Sequence, residues 1–382
     1  MPSKIAGRGK VAPFIVMDVL RAANERAAAG RNVLHLEVGQ PSTPPPAAVL
    51  EAARRALFAE RLGYTDALGF APLRRRIARH YGETYGLDVD WRRIVVTTGS
   101  SGAFVLAFLA AFDAGDRVAV TSPGYPAYRN ILAALGVEVI PLPVDGTSHF
   151  QPTPALLDGI RDPLHGLVVA SPANPTGSML HGVALRQMVE YCAERATQLI
   201  CDEIYHGITY AMPAETVLAR TDAAVVVNSF SKYYAMTGWR LGWMVLPEPL
   251  LRSVECLAQN LFIAPPTLSQ HAAVHVFDCR NELDANVARY ARNRALLLED
   301  LPRAGFRRLA PADGAFYVYA QLAAADPDSV TLTRNMLAET DVAATPGIDF
   351  DPDRGGRYIR FSFAGATEEV AEAVRRLVAW RG

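Results

Sequence analysis

The stretch Ala224-Val225-Val226-Val227-Asn228-Ser229-Phe230-Ser231-Lys232 decides the fold. Its first half is a short β-branched run, and its second half turns abruptly polar. Ile94-Val95-Val96-Thr97, Arg117-Val118-Ala119-Val120, Leu167-Val168-Val169-Ala170 and Leu199-Ile200-Cys201 are further runs of the same kind. From about residue 48 onward, amphipathic helical patterns separate them. Continuous apolar strands spaced by helices predict an α/β chain with a mostly parallel sheet covered on both faces. Polar groups gather where the strands end, at Gly99-Ser100-Ser101-Gly102, Ser171-Pro172-Ala173-Asn174-Pro175-Thr176-Gly177, Asp202-Glu203-Ile204-Tyr205 and Ser229-Phe230-Ser231-Lys232. Ligands of open α/β sheets bind outside the carboxyl ends of the strands. Four polar exits therefore predict one shared site.

Working outward, a helical stretch is expected from Leu268 to Leu298. Strands follow at Ala315–Tyr319 and Tyr358–Phe363, then a helix from Thr367 to Trp380. This tail reads as a smaller α+β unit. Pro44-Pro45-Pro46 is a rigid connector, and the segment before it is expected to pack with the tail. The division is a large unit over 46–285, and a small one from 1–45 with 286–382.

The chain has 382 residues and a net charge of −1 with both signs interspersed, which gives no footprint for nucleic acid or an anionic membrane. Cys192, Cys201, Cys256 and Cys279 are scattered without a CxxC or any metal-ligand spacing, as expected of buried thiols in a reducing compartment. No run of 18 apolar residues predicts a membrane span, and no apolar run follows Met1-Pro2-Ser3-Lys4 as in a secretory leader. A cytoplasmic protein is expected.

Of 38 basic residues only Lys4, Lys10 and Lys232 are lysines. Arginine bias accounts for the scarcity but not for the aromatic, hydroxyl-rich surroundings of Lys232. Lysine differs from arginine in that it can shed its proton and attack a carbonyl. Gly99-Ser100-Ser101 at a helix start suits a phosphate, although a plain N-cap is the alternative. Ser229, Ser231 and Arg240 flank the lysine and suit the same anion. A phosphate beside a nucleophilic lysine points to pyridoxal phosphate. Asp202 at a strand end is then the acid that keeps the pyridine nitrogen protonated, with a turn cap as its alternative.

These residues resemble the class I/II aminotransferases, pyridoxal-phosphate enzymes of fold type I. Lys232-Tyr233-Tyr234-Ala235-Met236-Thr237-Gly238-Trp239-Arg240-Leu241-Gly242, Ser171–Gly177 and Asp202–Tyr205 match the family's motifs in order. The resemblance implies that Lys232 carries the cofactor as an internal aldimine and moves the proton during transamination. It implies that Asp202 pairs with the pyridinium and that Asn174 and Tyr205 hold the phenolic oxygen. Tyr125 would stack on the ring, and Ser100, Ser101, Ser229, Ser231 and Arg240 would cradle the phosphate. Tyr64 would reach the phosphate of a neighbouring subunit, making a homodimer the working unit. Arg360 would grip the substrate α-carboxylate, with the Gly39 backbone assisting. His206 reads as structural.

Some dicarboxylate-specific relatives carry a lysine where the phosphate loop here has Ser101. Pro13-Phe14-Ile15-Val16 and Asn260-Leu261-Phe262-Ile263-Ala264 match pocket-lining regions and are apolar. The expected reaction moves an amino group from a hydrophobic or aromatic L-amino acid to 2-oxoglutarate or pyruvate. A carbon–sulfur β-lyase on the same fold is the alternative. A non-catalytic cofactor-binding regulator lacks a basic helix-turn-helix here, and a nucleotide-dependent dehydrogenase lacks a GxGxxG turn.

Overall fold

The computed structural model describes residues 4–381. Its main sheet contains β1 (Ile94–Thr97), β2 (Arg117–Ser122), β3 (Glu138–Pro143), β4 (Gly166–Ala170), β5 (Gln198–Asp202), β6 (Val225–Ser229) and β7 (Gly242–Val245). The spatial order is β1-β7-β6-β5-β4-β2-β3. Neighbours run parallel except where β7 is inserted, antiparallel to both β1 and β6. The mostly parallel α/β sheet expected from the sequence is present.

Alternation along each strand feeds two cores. Leu167, Val169, Leu199, Cys201 and Val226 face one layer, with Leu73, Ile77, Met188 and Trp243. Val168, Ile200, Val225 and Val227 face the other, with Phe104, Phe108 and Leu132. Both faces are covered, so these strands have no polar alternation to show.

Two strands of this sheet were not anticipated. β3 contains Pro141 and Pro143, which discourage a strand reading, but it pairs only with β2 at the sheet edge, where missing N–H donors are tolerated. β7 follows Arg240, a non-glycine residue at φ +50°, which turns the chain back after the lysine loop. The helix expected over Leu268–Leu298 is also corrected. It is split into Thr267–Ala273, a short turn at Val276–Asp278, and Arg280–Asp300. No proline or glycine marks the break. Phe277 instead packs edge-on to Tyr234 and Phe230, at 5.2 and 5.6 Å between ring centroids.

A third core joins Leu34 and Leu36 to Phe306, Phe316, Val318, Ile359, Phe361 and Leu377. Its antiparallel sheet runs Thr345–Pro346, Tyr358–Ser362, Tyr317–Gln321, Arg308–Leu309. Leu34–His35 pairs in parallel with Val342–Ala343, and Ser362 N donates to Leu36 O at 2.7 Å. Helix Arg280–Asp300 runs unbroken through the expected boundary at 285/286.

Candidate active site

Strand exits supply one wall. Asp202 ends β5 and is 3% exposed. Its Oδ1 accepts from Ile204 N at 3.0 Å, and its Oδ2 accepts from the Tyr128 hydroxyl. Burial pushes its carboxyl up to about 6, against the lowering pull of the Tyr128 hydrogen bond and of Lys232. Tyr128 lies three residues after Tyr125, one turn along helix Pro126–Leu135, and was missed from the sequence. The i,i+3 spacing of two tyrosines was the available signal.

β6 delivers the lysine loop. Ser229 Oγ donates to Ser231 Oγ at 2.9 Å and Ser231 N donates to Ser229 Oγ at 3.1 Å. Arg240 is folded against the start of helix Gly99–Ala111: a Cβ on Gly99 would lie 2.5 Å from its Nη2. A Cβ on Gly242 would lie 3.0 Å from Ser100 N, so the lysine loop and that helix start are in contact. The helix carries no side-chain cap, and Thr98 precedes it. Its first N–H groups are therefore available to an anion. Ser100 is half-buried and Ser101 exposed.

Lys232 Nζ donates to Gly39 O at 2.6 Å. Burial, with Arg360 and Arg240 nearby, pulls its ammonium down to about 8, while Asp202 opposes the shift. The free amine thus becomes accessible at mildly alkaline pH, well below the ordinary lysine range.

The small sheet supplies the opposite wall. Arg360 is 3% exposed. It donates to Asn174 Oδ1 at 2.9 Å, to Thr345 Oγ1 at 3.3 Å and to Glu37 O. Its guanidinium carbon lies 4.3 Å from the Tyr317 ring centroid and 4.7 Å from that of Phe350. Among the described residues it forms no ion pair with a carboxylate, and its Nε has no partner. A buried cation without a counter-ion is costly unless it meets an anion during function. Tyr205 is bonded at 2.8 Å to the hydroxyl of Tyr317, another residue the sequence reading did not single out.

Tyr125 lies between the walls. Burial pushes its phenol up to about 12, the Asp202 charge adds to this, and Arg240 and Arg360 oppose it. Phe14 meets its ring edge-on at 5.8 Å. Lys232, Asp202, Asn174, Tyr205, Tyr125, Ser229, Ser231, Arg240, Ser100, Gly39 and Arg360 thus converge. Tyr64 does not join them within one chain: it is 84% exposed, in a groove with Phe70 and His271. Leu261 and Ile263 are also about half exposed, at 51% and 52%, and only Phe262 of that segment packs inward.

The family model for aminotransferase class I and II matches residues 31–377. The chain belongs to the class I and II aminotransferases. A valine–pyruvate aminotransferase from Mycobacterium tuberculosis is 51% identical over 384 residues, spanning 100% of this chain and 99% of its own. The crystal structure of an aminotransferase from Mycobacterium tuberculosis matches with a TM-score of 0.97 at 50% identity, over 100% of this chain and 99% of that one. Aspartate aminotransferase from Thermus thermophilus, solved with maleate, matches with a TM-score of 0.92 at 29% identity, over 99% of this chain and 100% of that one. This aminotransferase transfers an amino group between an amino acid and a 2-oxo acid and depends on pyridoxal phosphate. Its residues fit that cofactor. The uncapped helix start with Arg240 suits the phosphate, and buried Asp202 suits a cationic ring nitrogen.

His206, buried beside Ser171 and Tyr85, stands apart from these groups. His206 Nε2 lies 3.1 Å from Ser171 O, which only accepts, so that nitrogen carries the proton. Burial pulls the imidazole down to about 3, so Nδ1 is bare and accepts from the Tyr85 hydroxyl at 2.7 Å. Burial also pushes Glu203 up to about 8. His206 fixes the loop before Asn174, in line with its structural reading. The bonds Ser171–Pro172 and Asn174–Pro175 are both cis.

Proposed function

We propose that this aminotransferase takes the amino group of an apolar L-amino acid, a branched one such as valine foremost, and passes it to pyruvate. The observation that carries the substrate grip is Arg360, a buried guanidinium with a free Nε and no carboxylate partner among the described residues. A planar fork of this kind suits an α-carboxylate. The name of the 51% identical relative supports the donor and acceptor. So do Phe14 over Tyr125 and the neutral Ser101 in the phosphate loop, which offers no cation to a second carboxylate.

Pyridoxal phosphate supplies an electrophilic carbonyl and a ring that stores the electron pair released at the substrate α-carbon. The protein's residues do the rest. Arg240, Ser229, Ser231 and the Gly99–Ser101 helix start hold the phosphate, with Ser100 and Ser101 contributing backbone or hydroxyl donors. Asp202 holds the proton on the ring nitrogen, and a cation there returns its carboxyl to the ionised form. Asn174 and Tyr205 hold the phenolic oxygen, and Tyr125 covers one ring face. Lys232 would anchor the cofactor through Nζ; once the substrate amine displaced it there, the freed Nζ would be the general base that takes the α-proton and hands it on. Arg360 and the Gly39 backbone orient the substrate so that the α-proton faces Lys232.

We also infer a homodimer. Tyr64, Phe58, Leu261 and Ile263 are all at least half exposed, and Phe58 reaches 85%. Burying them against a second copy would cover apolar surface and bring Tyr64 toward the partner's phosphate site. The proposed division keeps 46–285 as the large unit of each subunit and, among the described residues, 4–45 with 286–381 as the small one, with helix Arg280–Asp300 crossing between them. Four free thiols accord with the cytoplasm. No helix is long and apolar enough to cross a membrane among the described residues.

A half-reaction screen tests this reading. Holoenzyme is mixed with single amino acids and the cofactor absorption is followed. Valine and its branched neighbours are expected to convert the cofactor fastest, and pyruvate to restore it. Conversion by aspartate alone, or release of ammonia without any oxo-acid requirement, would sink the proposal.

A further inference from the structure

Tyr317 has no role in the scheme above, yet it meets three residues that do. Its hydroxyl lies 2.8 Å from that of Tyr205. Its ring centroid lies 4.3 Å from the Arg360 guanidinium carbon. Its hydroxyl also fills the space beside residue 39, where a Cβ would lie 1.7 Å from it. The carbonyl of that same Gly39 receives Lys232 Nζ at 2.6 Å. The placement follows from strand register. Tyr317 pairs with Ser362 and Tyr319 with Arg360, so Tyr317 and Arg360 are diagonal neighbours on one sheet face. Tyr317 is 1% exposed, so its hydroxyl needs a protein partner, and Tyr205 provides it.

We propose that Tyr317 is a positioning residue that ties the grip on the substrate carboxylate to the clamp on the cofactor's phenolic oxygen. Its ring face aims Arg360, a cation left without a carboxylate partner. Either hydroxyl can give the hydrogen of this pair; with a phenolic oxygen in place to receive the Tyr205 hydrogen, Tyr317 becomes the donor to Tyr205 and strengthens Tyr205 as a donor in turn. The space that hydroxyl occupies is the reason residue 39 is glycine. The inference rests on the roles assigned above to Lys232, Tyr205 and Arg360.

Two variants of the holoenzyme separate ring from hydroxyl. Tyr317→Phe keeps the ring face and removes the hydroxyl, whereas Tyr317→Leu removes both. The readouts are the pH midpoint of the cofactor absorption band, the affinity for 3-methylbutanoate, and kcat and KM for valine. A weaker donor leaves more charge on the phenolic oxygen to hold a neighbouring proton, so the band midpoint rises by about half a unit in both variants. Carboxylate affinity stays within about twofold in Tyr317→Phe and falls about five- to tenfold in Tyr317→Leu, with KM rising in parallel. An unchanged midpoint in Tyr317→Phe overturns the proposal. Equal loss of carboxylate affinity in both variants also overturns it, because ring and hydroxyl would then have no separate tasks. Lys232→Ala is the control: a pH-dependent band that survives in it would place the error in the anchor assignment, not in Tyr317.

Discussion

The two walls of the site are built in opposite ways. The wall that faces the cofactor is made of short contiguous segments at the ends of parallel strands, Asp202–Tyr205 after β5 and Ser229–Lys232 after β6. The wall that faces the substrate carboxylate is gathered from Glu37–Gly39, Asn174, Tyr317, Thr345 and Arg360, so its parts lie up to 323 residues apart. The first wall holds charges that already have partners: Asp202 is bonded to Tyr128 and Ile204 N. The second holds Arg360, bonded to Asn174, Thr345 and Glu37 O but to no carboxylate among the described residues, with its Nε unpaired.

Variants on the cofactor wall are therefore expected to lower kcat, and variants on the carboxylate wall to raise KM. The largest effect falls on Lys232→Arg, which keeps the charge and loses the removable proton. Turnover drops at least about 10⁴-fold, and residual activity near wild type in single-turnover assays would break the distinction at its root. Asp202→Ala comes next, with kcat down about 10²–10⁴-fold and cofactor lost on gel filtration; tight retention at normal rate would remove Asp202 from the wall. Arg360→Lys replaces a fork by a point charge. KM for valine rises about 30–100-fold with kcat changed far less, and an equal fall in kcat with unchanged KM would move Arg360 to the other wall.

The smallest effect is Tyr128→Phe. Tyr128 donates to the ionised form of Asp202, so its loss raises the Asp202 carboxyl further above the usual carboxylate range. Asp202 then takes up a proton at higher pH, and the acid limb of kcat/KM shifts upward. The rate near neutrality falls about tenfold. An acid limb that stays in place would show that the hydrogen bond does not tune Asp202.

The same contrast explains what the sequence made legible. Lys232, Asp202 and Asn174 sit in local runs just past apolar strands, and Arg240 in the run that continues from Lys232; local runs survive in one dimension. Arg360 was found only through the family motif around it, because nothing near it in sequence shows its burial or its lack of a counter-ion. Tyr317 and Tyr128 were not singled out, since an aromatic in a strand or helix reads as core until its hydroxyl partner is known. β3 was hidden by Pro141 and Pro143, which only an edge position permits. The break between Ala273 and Arg280 was hidden because Phe277, not a helix breaker, diverts the chain. Tyr64 was legible as a motif, yet in one subunit it faces outward.

The central claim is that these walls close on one cofactor site anchored at Lys232, and the chain's three lysines make it directly testable. Holoenzyme is reduced with borohydride, digested and mapped by mass spectrometry. The pyridoxyl adduct is expected on Lys232 alone, at one per subunit. An adduct on Lys4 or Lys10, or none on Lys232, would contradict it.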